Sequence, residues 1–183
     1  RRCRFVVACD AEQDGLFQFN GLGNLIRKCR ADFGIDIEID FDQIRKGGFE
    51  RQSQWHCAIG TIHYEQADPL AMPGTLLYLK SSMTGDEPSD VRNYSLEHPV
   101  FPHQSTGDQW FTESQFESYR SLGFHVARSV LQPALRAMQL RDGPGGVNQE
   151  ELLVRLRQTW YPPNDAVAAC FTKHGEEVSR LYE

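Results

Sequence analysis

Arg1-Arg2-Cys3-Arg4-Phe5-Val6-Val7-Ala8-Cys9-Asp10 is the stretch on which the fold turns. Five apolar residues, Phe5 to Cys9, stand between an arginine and an aspartate. A short apolar run with charged ends reads as a strand covered on both faces in a parallel sheet. A strand of that kind needs neighbours, and a parallel neighbour needs a crossover. The expectation is therefore that the chain is the later part of a larger α/β unit, with any chemistry of the earlier part encoded before residue 1. Cys9, at the end of the run, is expected to be a packed thiol. Asp10 closes the strand, and open α/β sheets hold ligands beyond the carboxyl ends of their strands. That makes Asp10 a candidate for a crevice wall; the plainer reading is a carboxylate that binds loop amides.

Working outward, Ala11 to Asn20 is polar and contains glycine, so it reads as a loop. Leu22, Leu25, Ile26, Cys29 and Phe33 recur at helical spacing, with Gly34 as a stop signal. Ile35-Asp36-Ile37-Glu38-Ile39-Asp40-Phe41 alternates strictly, so one face is buried and a carboxylate face meets water, as suits an edge strand. Asp36, Glu38, Asp40 and Asp42 lack the glycine pattern of a calcium loop and read as that solvated face. Lys46-Gly47-Gly48 reads as a turn or mobile loop. Trp55–Tyr64 and Thr75–Lys80 read as two strands of a long hairpin joined by the Pro- and Gly-containing segment 65–74.

Helices follow. Ser89-Asp90 opens a short one that ends before Pro99. Thr112 with Gln115 forms a capping box, and Phe111 with Phe116 a hydrophobic staple, ahead of a helix running toward Pro133. Phe116, Tyr119, Gly123, Val126, Ala127 and Val130 mark its inner face. Gly143-Pro144-Gly145-Gly146 is a linker, Asn148 with Glu151 a second capping box, and Pro162-Pro163 a stop before a last helix capped by Asn164 and ending near Leu181. One strand, one helix, three strands and then helices suit an α/β sheet with an antiparallel margin and a helical tail.

Nineteen basic against 25 acidic side chains leave a net charge of −6, which argues against nucleic acid because phosphate binding needs clustered cations. Arg27, Lys28 and Arg30 fit a helix's solvent face. Five widely spaced cysteines (Cys3, Cys9, Cys29, Cys57, Cys170), with no CxxC pair, suit free thiols in a reducing compartment. Cytoplasmic or membrane-associated residence follows. No apolar stretch reaches the roughly 20 residues of a membrane span.

No serine lies in a GxSxG setting. His103, Ser105 and Asp108 have the residue types of a hydrolytic triad, but triad members usually come from separate elements. The Pro99–Trp110 stretch is better read as a shaped loop whose His103 and Asp108 bond backbone groups and border the crevice. His56, Cys57 and His63 raise the question of a metal. On one strand Cys57 and His63 are about 20 Å apart, too far to share an ion, so no metal is expected there. Trp55, Trp110 and Trp160 read as packing residues.

Six stretches together resemble the C-terminal portion of bacterial patatin-like phospholipase proteins. They are RRCRFVVACDAEQD at Arg1–Asp14, LGNLIRKCRADFGI at Leu22–Ile35, HCAIGTIHY at His56–Tyr64, LLYLKSSMTGDEPSDV at Leu76–Val91, FPHQSTGDQWFTESQFESYRSLGFH at Phe101–His125 and WYPPNDAV at Trp160–Val167. The resemblance implies a three-layer α/β/α sandwich that cleaves lipid acyl esters with a Ser-Asp dyad. The serine of such enzymes lies in GxSxG and the aspartate in an Asp-Gly-Gly-type motif. Neither motif occurs here; Asp14-Gly15 and Asp142-Gly143 lie outside the motif's setting.

The reading that results is the C-terminal part of a patatin-like α/β domain over residues 1–142, then a helical tail over 143–183. The chain would be inactive alone, its parent a phospholipase or esterase acting on a lipid substrate without metal or other cofactor. Asp10, His103 and Asp108 are the candidate substrate-binding wall. The alternative is a non-catalytic module of the same fold that binds a partner or a membrane surface. With its first strand cut from its neighbours, the chain is also expected to expose an apolar edge and to associate.

Overall fold

The computed structural model describes residues 2–44, 46–47, 52–142 and 148–161. In chain order its elements are β1 (Phe5–Asp10), α1 (Asn20–Phe33), β2 (Ile37–Ile39), β3 (Lys46–Gly47), β4 (Gln52–Ser53), β5 (Cys57–Ile62), β6 (Gly74–Lys80), α2 (Ser89–Glu97), α3 (Glu113–Asp142) and α4 (Gln149–Trp160). The protein is mixed α/β. Its main sheet has the order β1-β6-β5-β2, with β1 parallel to β6 and the other two pairings antiparallel. The expected hairpin is β5–β6, and the expected acidic edge strand is β2. Lys46–Gly47, expected as a turn, instead pairs with β4 in a separate two-stranded ribbon, while Gly48 lies outside the described residues.

Strand alternation sends β5 and β6 side chains to two different cores. Ala58, Leu76 and Tyr78 join Leu22 of α1, Ile37 of β2 and the loop phenylalanines Phe17 and Phe19 on one face. Cys57, Ile59 and Leu77 join Val130 and Ala134 of α3 and Leu156 of α4 on the other. Both faces of the two central strands are therefore covered, and every residue of β5 is buried. Gly60 of β5 lies opposite Ile39 of β2. A Cβ there would stand 2.8 Å from the Glu38 carbonyl oxygen and 2.9 Å from Ile39 Cβ, so the close approach of β2 requires glycine. A third cluster, Val91, Tyr94, Phe101, Leu122 and Val126, ties α2 to α3.

The opening strand departs from expectation. β1 is an edge strand of this sheet, none of its residues is fully buried, and Val7 is 54% exposed. Cys9, expected to be packed, is exposed. The reason is that β1 pairs with β6 alone among the described residues, so its outward side chains lack a covering layer. The loop after it is less polar in effect than in composition. Phe17 and Phe19 adopt positive φ angles (53° and 54°) and turn their rings into the core.

The helices begin largely where the sequence says. Gly34, at φ 65°, ends α1 with its N–H on the Arg30 carbonyl. The Thr112 cap forms half of its box: its Oγ1 accepts from the Gln115 N–H, while the Gln115 side chain donates to Gln104 Oε1 at 3.1 Å. Asn148 caps α4 by accepting from the Glu150 N–H. Pro133 does not end α3, which runs on to Asp142. Leu122, Val126, Val130, Ala134 and Met138 are buried at four-residue spacing along one stripe. Packing of that stripe outweighs the roughly 3 kcal/mol that an interior proline costs. Of the expected inner face only Val126 and Val130 are fully buried, and Phe116 faces outward. The linker at 143–146, the Pro162-Pro163 stop, the last helix and Cys170 lie outside the described residues.

Candidate functional site

The carboxyl ends of the parallel pair β1–β6 hold a polar cluster in otherwise apolar surroundings. Lys80 is the last residue of β6, and its side chain is wholly buried. Its Nζ donates to Asp10 Oδ2 at 2.9 Å and stands 3.9 Å from Asp14 Oδ2. The Tyr78 hydroxyl also donates to Asp10 Oδ2, and the Glu12 N–H to Asp10 Oδ1 at 2.7 Å. Asp14 accepts from the Gln18 and Phe19 amides, both at 2.8 Å, which holds the left-handed turn that buries Phe17 and Phe19. Burial works against ionisation of Asp10. The Tyr78 hydroxyl, the Glu12 amide and Lys80 more than offset it and keep the carboxyl below its ordinary value. Burial, then the bond to Asp10, pushes the Tyr78 phenol upward. The cluster is thus one ammonium between two carboxylates, with every group in a fixed geometry.

Immediately beyond Asp10 lies an open cavity of about 260 Å³, lined by Ala11, Gln104, Ser105, Thr106, Phe111, Phe116 and Tyr119. Aromatic rings dominate its wall, and the main polar features are the Gln104–Thr106 segment and Tyr119, whose hydroxyl accepts from the Gln104 N–H at 3.3 Å. The three residues read from the sequence as crevice wall are not among its lining. Asp10 turns inward to Lys80 and leaves Ala11 at the rim. His103 is buried, with its ring edge-on to Phe17 at 4.9 Å. Asp108 is exposed and accepts from the Trp110 N–H at 3.0 Å, the loop-amide role expected of it. Ser105 Oγ accepts from the Gly107 N–H. Trp110, expected to pack, is 91% exposed, whereas Trp55 and Trp160 meet edge-to-face at 5.3 Å. Phe111 and Phe116 were legible as a staple; their place on a cavity wall was not.

A second cluster gathers at the far side of β6's carboxyl end. His56 and His63 flank β5 at opposite ends, and each meets carboxylates of its own. His63 lies beside Glu65 (2.7 Å) and Glu38 (3.5 Å). His56 is buried, and its ring stands edge-on to His125 of α3 at 5.5 Å. Its Nδ1 meets Ser82 Oγ at 2.9 Å and its Nε2 meets Thr84 Oγ1 at 3.0 Å. Asp86 and Glu87 complete the group, and one ligand atom from each of His56, Asp86, Glu87 and His125 lies within 4.8 Å of the other three. Burial holds the His56 imidazole down to about 4, so it is neutral at pH 7. His56 shares no cluster with Cys57 or His63, and its neighbours lie 30, 31 and 69 positions away. Ser82 is fully buried and carries no approach for a substrate.

None of the described helices is long and apolar enough to cross a membrane. Comparison of the chain with protein-family models, with characterised proteins and with solved structures finds no match in any of the three.

Proposed function

We propose that this chain is the C-terminal segment of a patatin-like lipid acyl hydrolase and forms one wall of its acyl crevice. The observation that carries the reading is the aromatic cavity beyond the carboxyl end of β1, placed where α/β sheets bind ligands. Phe111, Phe116 and Tyr119 offer an acyl chain apolar surface, and each methylene they bury contributes about 0.8 kcal/mol. In this reading the Ser-Asp dyad lies upstream of Arg1, since the nucleophile's setting is missing from these 183 residues. The test is hydrolysis of a long-chain and a short-chain acyl ester by this chain and by one extended upstream. The extended protein is expected to cleave both, and Phe116→Asp to raise KM for the long ester alone. Hydrolysis by the 183-residue chain itself, or an extension without GxSxG, overturns the proposal.

The exposed Trp110, Phe111 and Phe116 favour a second reading, a module that docks on a membrane surface through these aromatics. Sedimentation with phosphatidylcholine vesicles that is lost in Trp110→Ala, without esterase activity in the extended protein, would select it.

A further inference from the structure

We infer that His56, Asp86, Glu87 and His125 form a binding site for one divalent first-row transition-metal ion, which clips the start of β5, the loop after β6 and α3 together. The inference is independent of the acyl-hydrolase reading and uses none of its residues.

The first support is convergence. The four ligand atoms come from three separated parts of the chain and lie within 4.8 Å of one another. A four-coordinate ion with bonds of about 2.0–2.2 Å holds its ligands about 3.4 Å apart, within reach of small side-chain adjustments. His56 and Glu87 are buried, His125 is half-buried and Asp86 is exposed, so the site has a rigid floor and an open side through which an ion enters.

The second support is the crowding of ligand atoms around one hydroxyl. His56 Nδ1 meets Ser82 Oγ at 2.9 Å, and that hydroxyl also stands 3.4 Å from the Lys80 carbonyl. His56 Nε2 is directed into the cluster. There it meets Thr84 Oγ1 at 3.0 Å, and the same hydroxyl meets Asp86 Oδ1 at 2.5 Å and Glu87 Oε1 at 3.2 Å. One hydroxyl thus stands among an imidazole nitrogen and two carboxylate oxygens. Among the described residues Asp86 meets His125 Nε2 at 3.2 Å, and neither carboxylate meets a lysine or arginine. The two carboxylates face two imidazoles in place of a lysine or arginine, and a divalent ion matches the charge of the carboxylates.

Ligand chemistry selects the ion. Two imidazole nitrogens with two carboxylate oxygens suit Zn²⁺, Co²⁺ or Mn²⁺ over Ca²⁺ and Mg²⁺, which take oxygen ligands. The Ser82 bond to Nδ1 is the outer support that fixes a ligating ring. Glu87 is pinned in turn by the Thr84 N–H at 2.5 Å and the Gly85 N–H at 3.0 Å. Gly85, at φ 94°, makes the turn that brings Asp86 and Glu87 back toward His56. With four protein ligands the site is structural in type.

Titration of the whole chain, stripped by a chelator, with Co²⁺ and with Zn²⁺ tests the assignment. One ion per chain is expected. Co²⁺ should give visible ligand-field bands without the near-ultraviolet charge-transfer band of a cysteine thiolate, and Zn²⁺ should raise Tm. Asp86→Asn, at an exposed position that leaves the fold intact by circular dichroism, and His125→Gln should each weaken binding by at least about 100-fold. His63→Gln, beside the separate Glu38 and Glu65 pair, should leave it unchanged. Absence of saturable binding at about 1 mM metal, a thiolate band, or equal affinity in Asp86→Asn and His125→Gln overturns the inference.

Discussion

Replacing Lys80 by methionine removes one ammonium from the buried cluster at the end of β6 while keeping most of the side chain's volume. Nζ lies 2.9 Å from Asp10 Oδ2 and 3.9 Å from Asp14 Oδ2, and its side chain has no solvent exposure. Deleting one partner of a buried pair typically costs about 3–5 kcal/mol, because the other is left as an uncompensated charge. Here two carboxylates are left. Each keeps other donors, however: the Tyr78 hydroxyl and Glu12 amide on Asp10, and the Gln18 and Phe19 amides on Asp14. Those bonds place the expected loss at the lower end, about 3 kcal/mol. Urea unfolding of the 183-residue chain, followed by tryptophan fluorescence and circular dichroism together, measures it as a lower midpoint at unchanged slope. The double variant Asp10→Asn, Lys80→Met removes the orphaned charge nearest the deletion and should recover about 1–2 kcal/mol relative to the sum of the two single losses. A Lys80→Met loss below about 1 kcal/mol, or strict additivity in the double variant, would refute the claim that a charge pair organises this end of the sheet.

Asp10 has a folded value below the ordinary 3.8, so its contribution is fully present above the unfolded value and is lost as pH falls through the folded one. Urea midpoints taken between about pH 5 and pH 2 should therefore fall more steeply in wild type than in Asp10→Asn; parallel curves would contradict the assignment. Gly60→Ala puts a Cβ against the Glu38 carbonyl and Ile39, and should lower stability by about 1–3 kcal/mol, read by the same unfolding assay. Leu156→Ala empties the position where α4 meets Ile59 and Leu77, and should lower stability by about 2–5 kcal/mol. Unfolding of α4 that leaves the rest of the chain at its original midpoint would show that this contact does not join the helix to the sheet.

The expected association of the isolated chain rests on β1. The strand does lie at an edge of the sheet, and its Val7 is exposed. Light scattering against concentration measures whether that edge recruits a second copy.

Local patterns along the chain were enough to locate most elements. The alternation of Ile37, Glu38 and Ile39 marked an edge strand, Gly34 a helix end and Asn148 a helix start, because each depends on neighbours within four residues. The hairpin of β5 and β6 was legible as two consecutive apolar runs joined by a Pro- and Gly-containing segment. Covering, by contrast, is a property of distant residues. Whether Cys9 is packed depends on what lies over β1, and whether Pro133 stops a helix depends on what Val130, Ala134 and Met138 rest against. The chemical groupings were the least visible of all. Lys80 meets Asp10 across 70 positions, and His56 meets His125 across 69, because parallel pairing and helix packing join points that the chain itself keeps far apart. Local hydrogen bonding and side-chain periodicity thus specified the elements, while the burial of one element by another decided which charges and imidazoles share a site.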